Sequence, residues 1–238
     1  VLPRFNQIKN KSLPSLYWPE HAYGPEQVGK RVNVVPVKDL RKLYLYFPTP
    51  DFLPHYNSKP EHYVSHLLGH EGSGSLVFEL KRRGWLVNDL VAAGQPLACG
   101  FASFSIEMEL TEEGLKNLDE IIALFFEYLH VTLKNIQPQE WIHREVEKLN
   151  NIHFRFAENP NEGSLNGHNF LIDKKNPDEY VSSLSPSLHY YSLKDVLVAP
   201  VTSMPDFKPQ LIKDLVSLLN PKNLLVIVAS KEYEGTLI

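Results

Sequence analysis

Apolar and polar positions change their spacing along the chain, and each change marks an element. From Arg31, VNVVPV is rich in β-branched residues, and KLYLYF alternates Leu43, Leu45 and Phe47 with Tyr44 and Tyr46 until the prolines of PTPDFLP predict its end. These read as two strands. Lys59 to Leu68 has helical spacing with Pro60 in the first turn, GHEGSGS stops it with three glycines, and Ser75 to Arg83 forms a second helix. GWLVNDLVAAGQ and CGFASFSIEMEL read as a β-pair. The latter sets Phe104, Ile106, Met108 and Leu110 on one face against Ser103, Ser105, Glu107 and Glu109 on the other. A long amphipathic helix is predicted from Thr111, with Leu115, Leu118, Ile122, Phe125, Phe126 and Leu129 as its stripe. Pro138 fits the first turn of a further helix running through Trp141, Val146 and Leu149, which ENPNEG (158–163) interrupts. Helix is expected again over 177–189 and 208–219, and LLVIVA (224–229) reads as a buried strand. Strand pairs alternating with helix pairs predict an α+β fold, a mainly antiparallel or mixed sheet covered by helices. Residues 1–28, with four prolines and no period, read as an extended leader or interdomain linker before one α+β domain over 29–238.

Composition narrows the function classes. At 238 residues with a hydrophobic fraction of 43%, the chain can bury a sizeable core. A net charge of −4 gives no general reason to bind nucleic acid or an anionic membrane, and the longest apolar runs are too short to span a bilayer. Cys99 is the single cysteine, which excludes an intrachain disulfide and a cysteine-based metal cage and fits a reducing compartment such as the cytoplasm. A valine start and a leader without an apolar core suggest a piece of a longer polypeptide.

The chemistry concentrates in HYVSHLLGHEGSGS, where His62, His66 and His70 stand four residues apart. On a continuous helix they would share one face, and two imidazoles at that spacing are a zinc-binding pair. A third ligand could come from Glu145 or Glu147 on the later helix. The glutamate that would activate a metal-bound water is missing, because Leu67, Leu68 and Gly69 fill the interval between His66 and His70. The plainer alternative is that these histidines pack or hydrogen-bond at a helix end. The glycine-rich turn likewise has two readings, a simple junction of two helices or backbone exposed for another chain to bond. Glu71 in that turn could hold an ammonium group such as a peptide N-terminus, or stand in solvent. The small residues of LVAAGQ permit a strand edge that an added peptide could approach, or an ordinary strand end.

WPEHAYG, VVPVKDLRKLYLYFPTPD, HYVSHLLGHEGSGSLVFELKRRGW, LTEEGL, PQEW, LNNIHFRF, HYYSLKDVL and PKNLLVIVASKEYEG, in this order, resemble the second, noncatalytic domain of the pitrilysin/insulinase family of zinc metallopeptidases. The resemblance covers nearly the whole chain. It implies a metallohydrolase-like α+β domain within a four-domain zinc endopeptidase whose first domain alone carries the zinc and the His-x-x-Glu-His motif. HLLGH then stands at the position of that motif with Gly69 in place of the catalytic glutamate, and this piece is implied to be inactive and without a cofactor of its own. The resemblance further implies an exosite that holds a peptide substrate's N-terminus and adds it to a sheet edge. The matching positions are His62, His66, Leu67, Leu68, Gly69, His70, Glu71 and Gly72, then Leu90, Val91, Ala92, Ala93, Gly94 and Gln95. Departures from the family pattern are Ser65 and the Ala92–Ala93 step, where glycines are expected, and an ENPNEG loop without basic residues. The implied partners are peptide substrates, the other domains of the same polypeptide and a second copy of the parent enzyme in a homodimer. Two other readings are a noncatalytic structural subunit like that of mitochondrial processing peptidase, and a self-contained metal enzyme using His66, His70 and Glu145.

Overall fold

The computed structural model describes residues 7–9, 11–14, 16–155, 177–202 and 204–235. Five strands, β1 (Lys30–Val34), β2 (Lys42–Pro50), β3 (Val91–Ala98), β4 (Phe101–Glu109) and β5 (Leu225–Ala229), form one sheet in the order β1-β5-β2-β4-β3. β1 and β5 run parallel and every other pair is antiparallel, so the sheet is mixed. β5 lies between β1 and β2, so the last part of the chain completes a sheet begun by the first.

The alternation seen in the sequence becomes two faces. Leu43, Leu45 and Phe47 pair with Met108, Ile106 and Phe104, and all six are buried on one face. Tyr44 and Tyr46 pair with Glu107 and Ser105 on the other, where Lys42 bonds Glu107. The apolar face is covered by α1 (Pro60–Leu68), α2 (Leu76–Arg82), α4 (Leu118–Leu129) and α7 (Pro209–Leu218), which contribute Val64, Leu68, Leu80, Ile121, Phe125 and Leu215 to one core.

Several expectations are corrected. β2 does not end at Phe47 but pairs with β4 as far as Pro50↔Phe101. β5 pairs only with Lys42 to Tyr46, so Pro48 and Pro50 lie where β2 has a strand on one side only and the missing N–H breaks no ladder. Strand β3 starts at Val91, and the chain before it contributes only the Leu86↔Leu110 bridge. The helix predicted from Thr111 is two: α3 (Glu112–Lys116), capped by Thr111 Oγ1 accepting from Gly114 N–H, and α4 after a break at Asn117. That break turns Ile121 fully inward and leaves Ile122 only partly covered. A π-turn, His130–Lys134, continues α4.

Helix α5 (Glu140–Arg155) runs through Trp141, Val146 and Leu149 as expected and buries Ile142, His143 and Val146, while Trp141 is 65% exposed and Leu149 is also exposed. α6 (Pro177–Tyr190) follows. The ENPNEG loop lies outside the described residues. Of the first 28 residues, Trp18 donates its N–H to Cys99 O at 2.9 Å, a ring nitrogen of His21 lies 2.7 Å from Ala102 O, and Tyr23 packs edge-on against Tyr46. The segment thus lies against the β3–β4 hairpin. Among the described residues no helix is long and apolar enough to cross a membrane.

Candidate functional site

Helix α1 positions the first group of residues. Its apolar side, Tyr63, Val64 and Leu68, enters the core, which turns His62 and His66 toward α5 and the solvent. Tyr63 Oη accepts the N–H of Gln139 at 2.9 Å, tying α1 to the start of α5. Along the same contact, Asn150 Nδ2 lies 3.5 Å from His62 Nδ1, and Glu145 Oε2 lies 3.8 Å from His66 Nε2. The fold therefore unites His66 with Glu145, but Glu147 pairs instead with Arg144 at 3.3 Å. Burial lowers the pKa of His66 from its ordinary value, against the opposing pull of Glu145.

His70 does not join them. α1 ends at Leu68, Gly69 caps it with its N–H on Ser65 O at 2.8 Å, and exposed His70 uses Nδ1 to accept the N–H of Gly72 at 3.1 Å. The one-face arrangement of three histidines would need another turn of helix. Among the described residues no three His, Cys, Asp or Glu side chains are grouped to hold a metal ion. The residues present do not fit a zinc site: one imidazole–carboxylate pair stands without a third ligand, and position 69 has no side chain to take a proton.

The turn after α1 is tightly folded. A β-carbon on Gly72 would fall 2.5 Å from the His70 ring, and Gly74 has φ +86°, which favours glycine. Glu71 is not left to solvent alone, since Lys81 of α2 donates to it at 3.2 Å and also pairs with Asp89. Beside this turn runs β3, an edge strand of the sheet. The side chains of Leu90, Ala92 and Ala93 are buried, Val91 is 40% exposed, Gln95 is exposed and Gly94 is partly covered. Leu68 is buried in the core, and Leu67 is partly covered with its carbonyl accepting from Tyr128 Oη at 3.0 Å. A Cβ on Gly94 would come 2.9 Å from Glu61 Cβ, so glycine here lets the first turn of α1 approach the strand.

That approach creates a feature not foreseen in the sequence. A cavity of about 320 Å³ lies between the start of α1, the second half of β3 and the chain following α6. Lys59 and Glu61 flank Pro60 and both line it, together with Asp51, Tyr56 and Tyr191. Lys59 is 5% exposed and adopts φ 39°, the left-handed region that non-glycine residues rarely enter. Burial lowers its pKa to about 8 and raises that of Glu61 to about 7, each partly opposed by the other's charge. Burial likewise pushes the Tyr191 phenol up to about 12. The only sequence signal was two opposite charges around a first-turn proline, which is also the pattern of an ordinary solvated helix start.

The family model described as "Peptidase M16 inactive domain" matches residues 3–149, and that described as "Middle or third domain of peptidase_M16" matches residues 171–237. The insulin-degrading enzyme of Homo sapiens is 40% identical over 99% of this chain and 21% of its own length, and that of Drosophila melanogaster 38% identical over 98% and 22%. The A-factor-processing enzyme of Saccharomyces cerevisiae is 34% identical over 97% of this chain and 21% of its own. Among solved structures, pitrilysin superposes with a TM-score of 0.83 at 19% identity, covering 96% of this chain and 22% of that one. The chain thus spans about a fifth of the length of these curated relatives.

Proposed function

The chain belongs to the M16 peptidase family, and from that premise we propose that it is the noncatalytic, substrate-capturing domain of a longer, insulin-degrading-enzyme-like zinc endopeptidase. The zinc and the peptide-cleaving groups belong to another domain of the parent, and this one supplies a chamber wall and an exosite. Residues 29–238 act as one metallohydrolase-like unit, a reading supported by β5, which joins the far end of the chain to β1 and β2. The lone Cys99 favours a cytoplasmic parent. The sequence resemblance favours its assembly as a homodimer.

The observation that carries the proposal is the edge of β3 beside the turn that ends α1. At a sheet edge the outward N–H and C=O groups are free to take an added strand, and main-chain bonds of that kind accept many peptide sequences. At the adjoining helix end, carbonyl dipoles and the Glu71 carboxylate give an electronegative patch suited to a free amino terminus. Holding one end of a peptide raises the effective concentration of the rest at a distant cleavage site.

The test uses this chain, zinc and a fluorescent peptide with either a free or an acetylated N-terminus. Anisotropy is expected to show the free amine binding about tenfold more tightly, with no cleavage of either peptide. Equal affinities would remove the exosite reading, and zinc-dependent hydrolysis by the chain alone would remove the noncatalytic one.

A further inference from the structure

The cavity beside Lys59 and Glu61 has a chemistry separate from the strand edge. Lys59 Nζ and Glu61 Oε2 are both shut away from solvent with no hydrogen-bond partner among the described residues. The two groups feel each other electrostatically but make no direct ion pair among the described residues. Burying a charge without full compensation is unfavourable, and here an ammonium without a partner and a carboxylate with one oxygen left open, its group otherwise bonded by its own backbone N–H, stand in the wall of one cavity. The backbone holds this arrangement: the left-handed φ of Lys59 sets its side chain at the head of α1, and Gly94 makes room for Glu61.

A simple anion would meet Lys59 but also the carboxylates of Glu61 and Asp51. A simple cation would meet Glu61 but also the ammonium of Lys59. A dipolar group carrying both an acceptor and a donor answers the two unpaired atoms together. The remaining walls suit an apolar side chain: Tyr56 and Tyr191 meet edge to face with centroids 5.1 Å apart, and Pro96 and Pro186 also line the cavity. Asp51 already accepts from Leu53 N–H at 2.9 Å, and Tyr56 Oη already bonds Asp195 at 3.2 Å, which leaves Lys59 and Glu61 as the open charged positions, with the buried Ser103 hydroxyl beside them in the same lining. A volume of about 320 Å³ lies at the small end of ligand pockets and suits one or two residues.

We propose that this cavity binds the carboxyl end of an amino acid or peptide, the α-carboxylate on Lys59 Nζ and the N–H of the same residue on Glu61 Oε2, with its side chain against Tyr56 and Tyr191. The cavity shares His62, Ala93, Gly94 and Gln95 with the surface proposed for strand capture, but the groups assigned to the ligand, Lys59 and Glu61, are not among the residues assigned to that capture, so a failure here leaves the amine-selective reading standing. Two sources share this chemistry, a free amino acid and the C-terminus of a peptide.

The experiment titrates the ¹⁵N-labelled chain with N-acetyl-L-phenylalanine, free L-phenylalanine and N-acetyl-L-phenylalaninamide. Amide shifts at Lys59, Glu61, Gly94 and Gln95 are expected with the acetylated acid, and binding about tenfold weaker with the amide, which lacks the carboxylate. Response to the free amino acid alone keeps the site and assigns it to that source. An amide that binds as well as the acid, shifts confined to residues away from the cavity, or no response to either acid at about 10 mM would overturn the proposal. Lys59→Met and the near-isosteric Glu61→Gln should each weaken the acid about tenfold, with circular dichroism confirming the fold. Should Lys59→Met fail to fold, Glu61→Gln and the acid–amide comparison in the unaltered chain still decide the matter.

Discussion

Replacing Glu61 with glutamine removes a titrating group from the cavity while keeping its shape, and its effect on stability must change with pH. The groups facing Glu61 are its own backbone N–H, Lys59 just before its helix, Asp51 on the loop after β2 and Tyr191 beyond α6, and desolvation outweighs them all, raising its pKa from 4.5 to about 7. In the unfolded chain the carboxyl loses its proton near the lower value, and in the folded chain near the higher. Between the two the folded state binds more protons, so stability falls as pH rises. A gap of about 2.5 pH units at ~1.36 kcal/mol each amounts to about 3.4 kcal/mol, of which about 2.5 kcal/mol develops between pH 5 and pH 8. Lys59 titrates in both proteins, and loss of the Glu61 charge lowers its pKa further in the variant, which moves the difference in the same direction. Urea unfolding of the native chain and of Glu61→Gln, followed by tryptophan fluorescence at pH 5 and pH 8, measures this directly. The stability difference should move toward the glutamine variant by about 2.5 kcal/mol over that interval. A difference constant to within ~0.5 kcal/mol would mean that Glu61 ionises as freely in the fold as in water, and the desolvated cavity wall would have to be abandoned.

Three further outcomes are expected. Gly114→Ala would put a Cβ 2.2 Å from the Trp85 carbonyl oxygen, a backbone atom that cannot swing aside, and should destabilise the protein by about 3 kcal/mol in urea unfolding. Glu71→Gln should weaken binding of a peptide with a free amino terminus about fivefold, leave the acetylated peptide unaffected and keep the thermal midpoint within ~2 °C, since the ion pair it loses, with Lys81, is exposed. Glu145→Gln should lower the His66 pKa further, read from its ring proton shifts, because it deletes the one neighbour that raises it. Since the folded His66 resists protonation, stability should fall as pH drops below the unfolded value of 6.5, and more steeply in that variant.

What could be read from the sequence was whatever imposes a period. β4 was plain because Phe104, Ile106 and Met108 meet the core while Ser103, Ser105 and Glu107 do not share their face. β2 was cut short because prolines usually end strands, and only the pairing pattern reveals that Pro48 and Pro50 stand beyond the reach of β5. The break at Asn117 was hidden since apolar residues continue on both sides of it at helical spacing. Nothing local in Lys30–Val34 or Leu225–Ala229 announces that they pair in parallel, because that contact is decided by the whole sheet. In the site, the turn of HLLGHEG and the small residues of β3 could be named in advance, whereas Lys59 and Glu61 could not. Their burial depends on Gly94 and on α6 and the residues after it, far along the chain.

The same local fact separates metal chemistry from the peptide holding proposed for this turn. Had α1 continued one more turn, His66 and His70 would stand on one face with Glu145 across from them, the elements of a zinc site. Gly69 ends the helix instead and sends His70 into the turn, where its ring is occupied by Gly72 N–H. An ended helix offers what a continuing one cannot, a set of carbonyls with the negative end of the helix dipole directed outward. Leu67 O is already engaged by Tyr128, which steadies that end against the core rather than leaving it to fray. A rigid electronegative helix terminus next to an edge strand suits an amino-terminal strand better than it suits a cation alone, since it pairs a charge with a row of backbone bonds. Lengthening α1 through Gly69→Ala should therefore trade one property against the other. The variant's Cβ would lie 3.2 Å from Ser65 O, which the backbone can accommodate with a small shift, and free-amine selectivity should fall toward that of the acetylated peptide. Selectivity unchanged in Gly69→Ala would show that the helix end plays no part in recognising the amine.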